Sequence, residues 1–282
     1  MTFSQDGPAD QKRLWNGPGG HAWVEAQDLL DKTYEPLEKL LADAAREASA
    51  KHPLDVGCGS GGTTVSIARR LGPGASCLGI DLSEPMIAAA RARADRAAVS
   101  VQFICADAQT HAFDPPVVDL IVSRFGIMFF DDPVRAFANL RGAASEGAPF
   151  HGLAWRRPED NPFMTAAERA AEPLLPGVAR RVPNEPGQFG FADASRVRGI
   201  LEESGWRNID ISPVDVPCAF PEAALELYLT RLGPVGRALQ AADDTLRSRV
   251  VDTIRPAFDP YLHGGEVRFT AACWLIRARA GA

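Results

Sequence analysis

Three acidic residues stand at regular spacing in the first half of the chain. Asp55, Asp81 and Asp107 are separated by 26 residues each time, and Asp55 is followed by the glycine-rich turn Gly57-Cys58-Gly59-Ser60-Gly61. Glycines in such a turn allow positive φ and a close approach to a ligand, and the helix behind it presents free N–H groups. Carboxylates at the other two positions can accept hydrogen bonds from ribose hydroxyls and from the exocyclic amine of adenine. The pattern predicts a site for a nucleoside-containing cofactor.

The elements that must position these residues alternate between strand and helix. Apolar runs predict strands at 53–56, 76–80, 101–106, 118–123 and 148–155, and helices at 62–71, 84–97 and 133–140. Strands alternating with helices imply a parallel sheet with right-handed crossovers. The glycine turn and the acids therefore meet at the carboxyl edge of one sheet.

The segments around this core have other patterns. Helical spacing over 21–50 follows a predicted break at 17–20, and Glu35-Pro36 is expected to end or kink the first of two helices. Residues 156–190 are rich in proline around one helix near 165–172, and 221–255 are mainly helical. A helix at 194–204 and strands at 207–216 and 266–279 complete the prediction. Long insertions at the carboxyl end of a sheet tend to be functional.

Composition favours a soluble enzyme and disfavours several other classes. Hydrophobic residues make up 46% of the 282 residues and charged residues 23%, and the net charge is −6. This charge gives no general attraction to nucleic acid. The five cysteines form no CxxC pair, no stretch predicts a membrane span, and the first residues lack the order of a signal peptide. We expect a cytoplasmic protein.

As a set, four motifs resemble those of the class I S-adenosylmethionine-dependent methyltransferases. They are Asp55-Val56-Gly57-Cys58-Gly59-Ser60-Gly61, Gly79-Ile80-Asp81, Ala106-Asp107-Ala108 and Val118-Asp119-Leu120-Ile121-Val122-Ser123. The resemblance implies an α/β fold, a three-layer α/β/α sandwich around a seven-stranded, mostly parallel sheet whose last strand is antiparallel. It also implies an N-terminal helical lid and helical insertions after strands five and six.

We therefore expect a single methyltransferase domain over residues 1–282. Its parts would be lid helices at 1–50, a cofactor-binding core at 51–155, and substrate-cap insertions at 156–190 and 221–255. The implied cofactor is S-adenosyl-L-methionine. The residues expected to bind it are Asp55, Gly57, Gly59, Gly61, Asp81, Leu82, Asp107, Ala108 and Ser123.

Three further stretches are similar to the bacterial small-molecule branch that includes the quinone-biosynthesis methyltransferases. They lie at 15–18 (Trp-Asn-Gly-Pro), 123–130 (Ser-Arg-Phe-Gly-Ile-Met-Phe-Phe) and 155–162 (Trp-Arg-Arg-Pro-Glu-Asp-Asn-Pro). These stretches define a subgroup without defining a substrate, and we expect a small, apolar or aromatic methyl acceptor. The acceptor atom (oxygen, carbon or nitrogen) and the oligomeric state stay open.

Candidate catalytic residues are His21, at the start of the lid helix, and Arg124, after the fourth strand. His21 reads equally well as a surface histidine at a helix start, and Arg124 as a brace for its loop. Candidate substrate-binding residues are Trp15, Phe125, Met128, Trp155, Phe163 and Tyr228, although aromatic residues in such positions are also typical of a core. The acids at 114–116 and 131–133 suit turns and helix caps, so we expect no metal.

Two alternative functions stay open. A nicotinamide-dependent oxidoreductase is one, because Gly57, Gly59 and Gly62 fit the first, third and sixth positions of a dinucleotide fingerprint. Neither Asp55 nor Asp107 is required by a dinucleotide. A donor-binding protein without catalysis is the other, although such a protein has little need for two long insertions.

Overall fold

The N-terminal part of the chain is helical. The computed structural model describes residues 8–113 and 118–281, and it begins with α1 (Pro8–Asn16), α2 (Pro18–Glu25) and α3 (Gln27–Glu47). The prediction that one helix ends at Glu35-Pro36 and another begins there is wrong, because α3 runs through Pro36 without interruption. Pro36 lies on the exposed side of the helix, where the carbonyl it leaves unpaired can bind water, while Leu37 and Leu41 on the opposite side are fully buried. Packing of the apolar face overrides the local signal.

A single sheet forms the centre of the molecule. Its strands are β1 (Pro53–Val56), β2 (Cys77–Asp81), β3 (Val101–Cys105), β4 (Leu120–Arg124), β5 (Pro149–Trp155), β6 (Trp206–Pro221), β7 (Leu262–His263) and β8 (Glu266–Ala280). The order is β3-β2-β1-β4-β5-β8-β6; β8 is antiparallel to β5 and β6, and the pairs among β1 to β5 are parallel. The α/β fold with a mostly parallel sheet is confirmed. The short β7, which pairs with β8, is an eighth strand beyond the expected seven.

The remaining helices cover the sheet and form the insertions. They are α4 (Gly62–Leu71), α5 (Glu84–Ala97), α6 (Pro133–Ala143), α7 (Ala166–Ala171), α8 (Ala194–Glu203), α9 (Leu225–Arg231), α10 (Gly233–Gln240) and α11 (Asp244–Ile254). The strand order reverses between β1 and β4, so right-handed crossovers put α4 and α5 on one face and α6 on the other. A crevice opens at this reversal, where open α/β sheets bind ligands.

Two strand boundaries differ from the sequence prediction by two or more residues. Strand β6 continues to Pro221 rather than ending at Val216, because its whole length pairs with the long β8. The predicted fourth strand begins at Leu120 rather than Val118, and Val118 forms only an isolated bridge to Ala144. The predicted turn at 114–116 lies outside the described residues, whereas Asp132 does cap α6 by accepting from the backbone N–H of Arg135 at 3.0 Å.

The two insertions, 156–190 and 221–255, are called the cap below. They pack on each other, since α7 contacts both α10 and α11. Their side chains join the same hydrophobic core as the sheet and the N-terminal helices. The cap is therefore fixed to the core over the carboxyl edge of the sheet.

Candidate functional site

The glycine turn between β1 and α4 has a shape that requires glycine. Gly57, Gly59 and Gly61 have φ of 65°, 55° and 79°. A Cβ on Gly57 would lie 2.5 Å from the Cα of Gly126, so the two backbones touch here. A Cβ on Gly59 would meet only the Sδ of Met86, at 3.6 Å. The turn thus packs tightly at Gly57 and leaves open space beside Gly59.

Asp81 is held by the backbone at the end of β2. Its Oδ2 accepts from the N–H of Gly59 at 2.9 Å, and its Oδ1 accepts from the N–H of Ser83 at 2.9 Å. Burial raises the pKa of this carboxyl, and the two N–H donors oppose that rise. The carboxylate is oriented before any ligand arrives, and each oxygen keeps a lone pair for a further donor.

Asp107 stands one strand further along the same edge. Its Oδ1 accepts from the backbone N–H of Gln109 at 2.9 Å, and both residues border the same cavity as Asp81. Leu82 and Ala108 border it too, with Leu82 between the two acids along the edge. The structure therefore brings together the acids that the sequence expected at the ribose and adenine positions.

Three predicted cofactor residues lie behind the cavity rather than in its wall. Asp55 is 2% exposed and accepts from the Thr64 hydroxyl at 2.7 Å. Burial raises the pKa of Asp55 to about 7, against the Thr64 hydrogen bond and the charge of Arg124. The Ser123 hydroxyl donates to the Val56 carbonyl at 2.7 Å and accepts from the N–H of Gly126 at 3.2 Å. A Cβ on Gly61 would lie 2.9 Å from that of Ala90.

Helix α1 is fastened over this edge. The Asn16 side chain donates to the Leu82 carbonyl at 3.0 Å and accepts from the N–H of Glu84 at 2.9 Å. The Ser83 hydroxyl donates to the carbonyl of Trp15, whose ring meets that of Phe129 edge-on at 5.1 Å. The lid helices are therefore closed onto the loop between β2 and α5.

An aromatic wall follows the fourth strand. The Phe125 ring is stacked on that of Trp155 at 4.3 Å, and Tyr34 from α3 meets both rings edge-on. Phe125 holds this position with φ of 68°, which is uncommon for a bulky residue. The Arg124 guanidinium lies 5.8 Å from the Tyr34 ring centre, and its Nε donates to the Thr63 hydroxyl at 3.0 Å. Met128 and these aromatic residues all border the cavity.

The cap supplies the far side of the cavity. Phe163 is 2% exposed and is stacked on Phe269 at 4.0 Å, so it is part of the cap core as well as of the wall. The Tyr228 hydroxyl lies 3.6 Å from the Sδ of Met164, and burial raises its pKa. The cavity, of about 1950 Å³, runs from the acids at 81 and 107 past the aromatic wall to these cap residues.

His21 lies apart from this cavity. Its side chain is exposed on α2, and its Nδ1 is 2.8 Å from the carbonyl of Gly17, to which it donates. The described residues that border the cavity do not include His21. Its position fits the surface reading rather than a catalytic one. Over residues 8–113 and 118–281 there is also no cluster of three or more potential metal ligands, and no helix is long and apolar enough to cross a membrane.

Comparison with known proteins finds methyltransferases. Residues 54–147 match a methyltransferase domain family. This chain is 27% identical over 153 residues to a demethylmenaquinone methyltransferase of Thermus thermophilus, covering 54% of this chain and 69% of that protein. It is 28% identical over 133 residues to the aklanonic acid methyltransferase DauC of a Streptomyces species, covering 44% and 60%.

The matched third of the chain is a methyltransferase domain, and S-adenosylmethionine is the cofactor that its motifs indicate. The solved YcgJ protein of Bacillus subtilis has the same fold, with a TM-score of 0.56 and 16% identity over 87% of this chain and 98% of that one. The alignment with DauC spans 60% of that relative's length. The matched domain reaches from β1 to the loop after α6, so the whole cap and all of the lid helices lie outside it.

Sequence analysis missed three residues that border the cavity. Asn16 belongs to a stretch that carried the resemblance but was given no role of its own. Tyr34 had no signal beyond its place in a helix. Glu168 of α7 borders the cavity and is 2% exposed, which no local pattern indicates.

Proposed function

We propose that this methyltransferase transfers a methyl group from S-adenosylmethionine to a small, apolar or aromatic metabolite, at an oxygen, carbon or nitrogen atom. One observation carries the proposal: the acids at 81 and 107, the aromatic wall and the cap border one continuous cavity. A donor and an acceptor in that cavity lie side by side with water excluded, which is what methyl transfer requires of the protein.

The contacts of the turn support a specific placement of the donor. Its methionine part would lie over Gly57 to Gly61, beside the open space at Gly59. Its ribose hydroxyls would donate to Asp81, whose carboxylate is already oriented by two backbone N–H groups. Its adenine would lie between Leu82 and the turn at Asp107 and Ala108. The bound donor supplies a sulfonium-activated methyl group.

The same contacts argue against a dinucleotide. A pyrophosphate is bound by free N–H groups of the glycine turn. Here the N–H of Gly59 is taken by the Asp81 carboxylate at 2.9 Å, and that negative charge would repel a phosphate. One N–H group of the turn is therefore not free to bind the pyrophosphate of the nicotinamide alternative.

Arg124 is proposed to bind rather than to transfer protons. Its guanidinium borders the cavity, and contacts with the Thr63 hydroxyl and the Tyr34 ring hold it in place. A fixed positive charge at this position suits the carboxylate of the donor or of an anionic acceptor. Displacement at a sulfonium needs a general base only when the acceptor arrives protonated.

Thermal-shift titrations with S-adenosylmethionine, S-adenosylhomocysteine and NADH test the proposal. A ligand at 100 times its Kd adds about 2.7 kcal/mol of stability, enough to raise the melting temperature by several degrees. We expect shifts with the two sulfur nucleosides and none with NADH; the opposite result would restore the oxidoreductase. Transfer of a labelled methyl group to members of a metabolite collection separates an enzyme from a donor-binding protein without catalysis.

A further inference from the structure

Glu168 is a buried acid in the cap with one oxygen unused. It lies on α7, its residue exposure is 2%, and it borders the cavity. Its Oε2 is paired with the guanidinium of Arg181, whereas its Oε1 has no hydrogen-bond partner among the described residues. Among the residues that the structure describes, only Glu168 has a buried side-chain nitrogen or oxygen without a hydrogen-bond partner.

An orphaned carboxylate oxygen is unfavourable to folding. Buried polar groups are nearly always hydrogen-bonded, because an unpaired one loses its water without replacement. Burial raises the pKa of Glu168, and the charge of Arg181 opposes the rise. An alanine or leucine at this position would avoid the desolvation, so the acid is better explained by a partner that arrives with a ligand.

The charges around Glu168 restrict what that partner is. Besides Arg181, the guanidinium groups of Arg237 on α10 and Arg169 on α7 act on it electrostatically, and Glu168 in turn acts on the hydroxyl of Tyr228. Three positive groups around one negative group disfavour a further cation. A ligand anion is also disfavoured, because the lone pairs of Oε1 would repel it. An uncharged group that donates a hydrogen bond satisfies both conditions, and a hydroxyl is the smallest such group.

We propose that Oε1 of Glu168 accepts a hydrogen bond from an uncharged hydroxyl of the methyl acceptor, so that the cap selects hydroxylated over plain apolar molecules. This inference rests on the proposed function, since it assigns the cap end of the cavity to the acceptor. Glu168 acts here as a substrate-binding residue, and the aromatic residues Phe163 and Tyr228 enclose the apolar part of the same molecule.

Matched aromatic probes test the inference on the full chain saturated with S-adenosylhomocysteine. The probes are naphthalene, 1-naphthol and 2-naphthol, with 2-naphthoate as the anion and 2-naphthylmethylamine as the cation. Dissociation constants come from ligand-observed NMR. In the wild-type protein at least one naphthol should bind about tenfold or more tightly than naphthalene, the size of a hydrogen bond to a charged group. The anion and the cation should gain nothing.

Variants attribute this preference to the carboxylate. In Glu168→Leu the ratio of naphthol to naphthalene affinity should fall to about one, and in Glu168→Gln, which keeps an acceptor oxygen, it should be intermediate. Glu159→Leu, which removes an exposed acid of the same insertion outside the cavity wall, should leave the ratio as in the wild-type protein. The thermal shift with S-adenosylhomocysteine reports that each variant is folded.

Two results would overturn the inference. One is a wild-type protein in which neither naphthol binds better than naphthalene, which includes the case where no probe binds. The other is a hydroxyl preference that survives in Glu168→Leu. In either case the S-adenosylhomocysteine shift still stands if the proposed function is right, whereas loss of that shift in the wild-type protein would count against the function itself.

Discussion

The donor side and the cap side of the cavity are built in different ways. On the donor side, backbone groups already pair the polar side chains: Asp81 with two N–H groups, and Asn16 with a carbonyl and an N–H. On the cap side, the wall consists of stacked and edge-on rings around Phe163, with one carboxylate oxygen left unpaired at Glu168. Under the proposed function, this difference means that the site for the donor is set in advance, while recognition of the acceptor is completed by the acceptor.

The same division follows the family match. Residues 54–147 contain the glycine turn and the acids at 81 and 107, whereas the whole cap lies outside that range. The fold of the matched part supports many methyl acceptors, so choice among them must come from elsewhere. The cap lies beyond the matched range and borders the far end of the cavity.

Substitution of Phe163 by alanine should have the largest effect. The ring is buried and lies within 5.3 Å of the ring centres of Phe269, Tyr261 and Phe258, so its removal should lower the free energy of unfolding by about 3–5 kcal/mol. Urea unfolding measures this. Phe189→Ala, at a half-buried ring of the same insertion, should cost less. If the two sides are independent, the Kd for S-adenosylhomocysteine of folded Phe163→Ala stays within about twofold of wild type.

Part of this structure could be predicted from local sequence patterns, and part of it could not. The strand and helix alternation from 53 to 155, the glycine turn and the positions of Asp81 and Asp107 follow from local periodicity and short motifs, and the structure bears them out. The orphaned oxygen of Glu168 depends on Arg181 and on the burial of α7 in the cap, which no short window contains. Tyr34 likewise reaches Phe125 and Trp155 only because α3 packs across the sheet.

Local signals also failed where packing outweighed them. Pro36 predicted a break in a helix that continues, because its exposed side tolerates a free carbonyl while its apolar side is buried. The four residues at 17–20 predicted a non-helical break, yet α2 begins at Pro18, a proline at the first helical position. Gly17 alone separates the two helices. Tertiary contacts, rather than the proline and glycine residues themselves, decide whether a helix ends at these positions.

The second prediction concerns Asp55 beneath the donor side. Its folded pKa of about 7 lies above the ordinary value of 3.8, so the folded state binds the proton more tightly. Its contribution to stability is therefore largest below about pH 4 and is lost as the pH rises to about 7, by about 4 kcal/mol. Asp55→Asn should lack this component of the pH dependence. The difference between the two curves of unfolding free energy against pH measures it.

A variant at an exposed acid provides the reference for that curve. Asp95→Asn removes an exposed carboxyl of α5 and should leave the pH dependence of unfolding as in the wild-type protein. A wild-type curve parallel to that of Asp55→Asn between pH 4 and 7 would contradict the prediction. Burial of Asp55 would then carry no electrostatic cost, and the contrast with the unpaired oxygen of Glu168 would become sharper.

Asp81 and Asp119 offer a matched pair for the third prediction. Each carboxylate accepts from two backbone N–H groups, Asp119 from those of Lys51 and His52 at 2.6 and 2.8 Å. Only Asp81 borders the cavity. Asp81→Ala should weaken S-adenosylhomocysteine binding by about 1–3 kcal/mol, the value of a lost charged hydrogen bond, and Asp119→Ala should leave it within twofold. Calorimetric titration measures both; equal losses would mean that Asp81 only holds its loop.

The smallest effect is expected at Asn16, and Asn161 of the cap is its counterpart. Asn16 pairs with the Leu82 carbonyl and the Glu84 N–H, and Asn161 pairs in the same manner with the carbonyl and N–H of Ala272, at 2.9 and 3.0 Å. Asn16→Ala should weaken closure of α1 over the donor by about 1 kcal/mol, which is about fivefold in affinity. Stopped-flow kinetics should show this loss in the dissociation rate of S-adenosylhomocysteine.

Asn161→Ala removes the same pair of hydrogen bonds from a residue that is 1% exposed, so it should lower the free energy of unfolding while donor dissociation keeps its wild-type rate. If both variants release the donor faster, the cap also controls donor exit, and the boundary between the two sides lies elsewhere. If only Asn16→Ala does, the lid helices belong to the donor side and the cap to the acceptor. The dissociation rates of the two asparagine variants would then distinguish the part of the cavity that holds the donor from the part that selects the methyl acceptor.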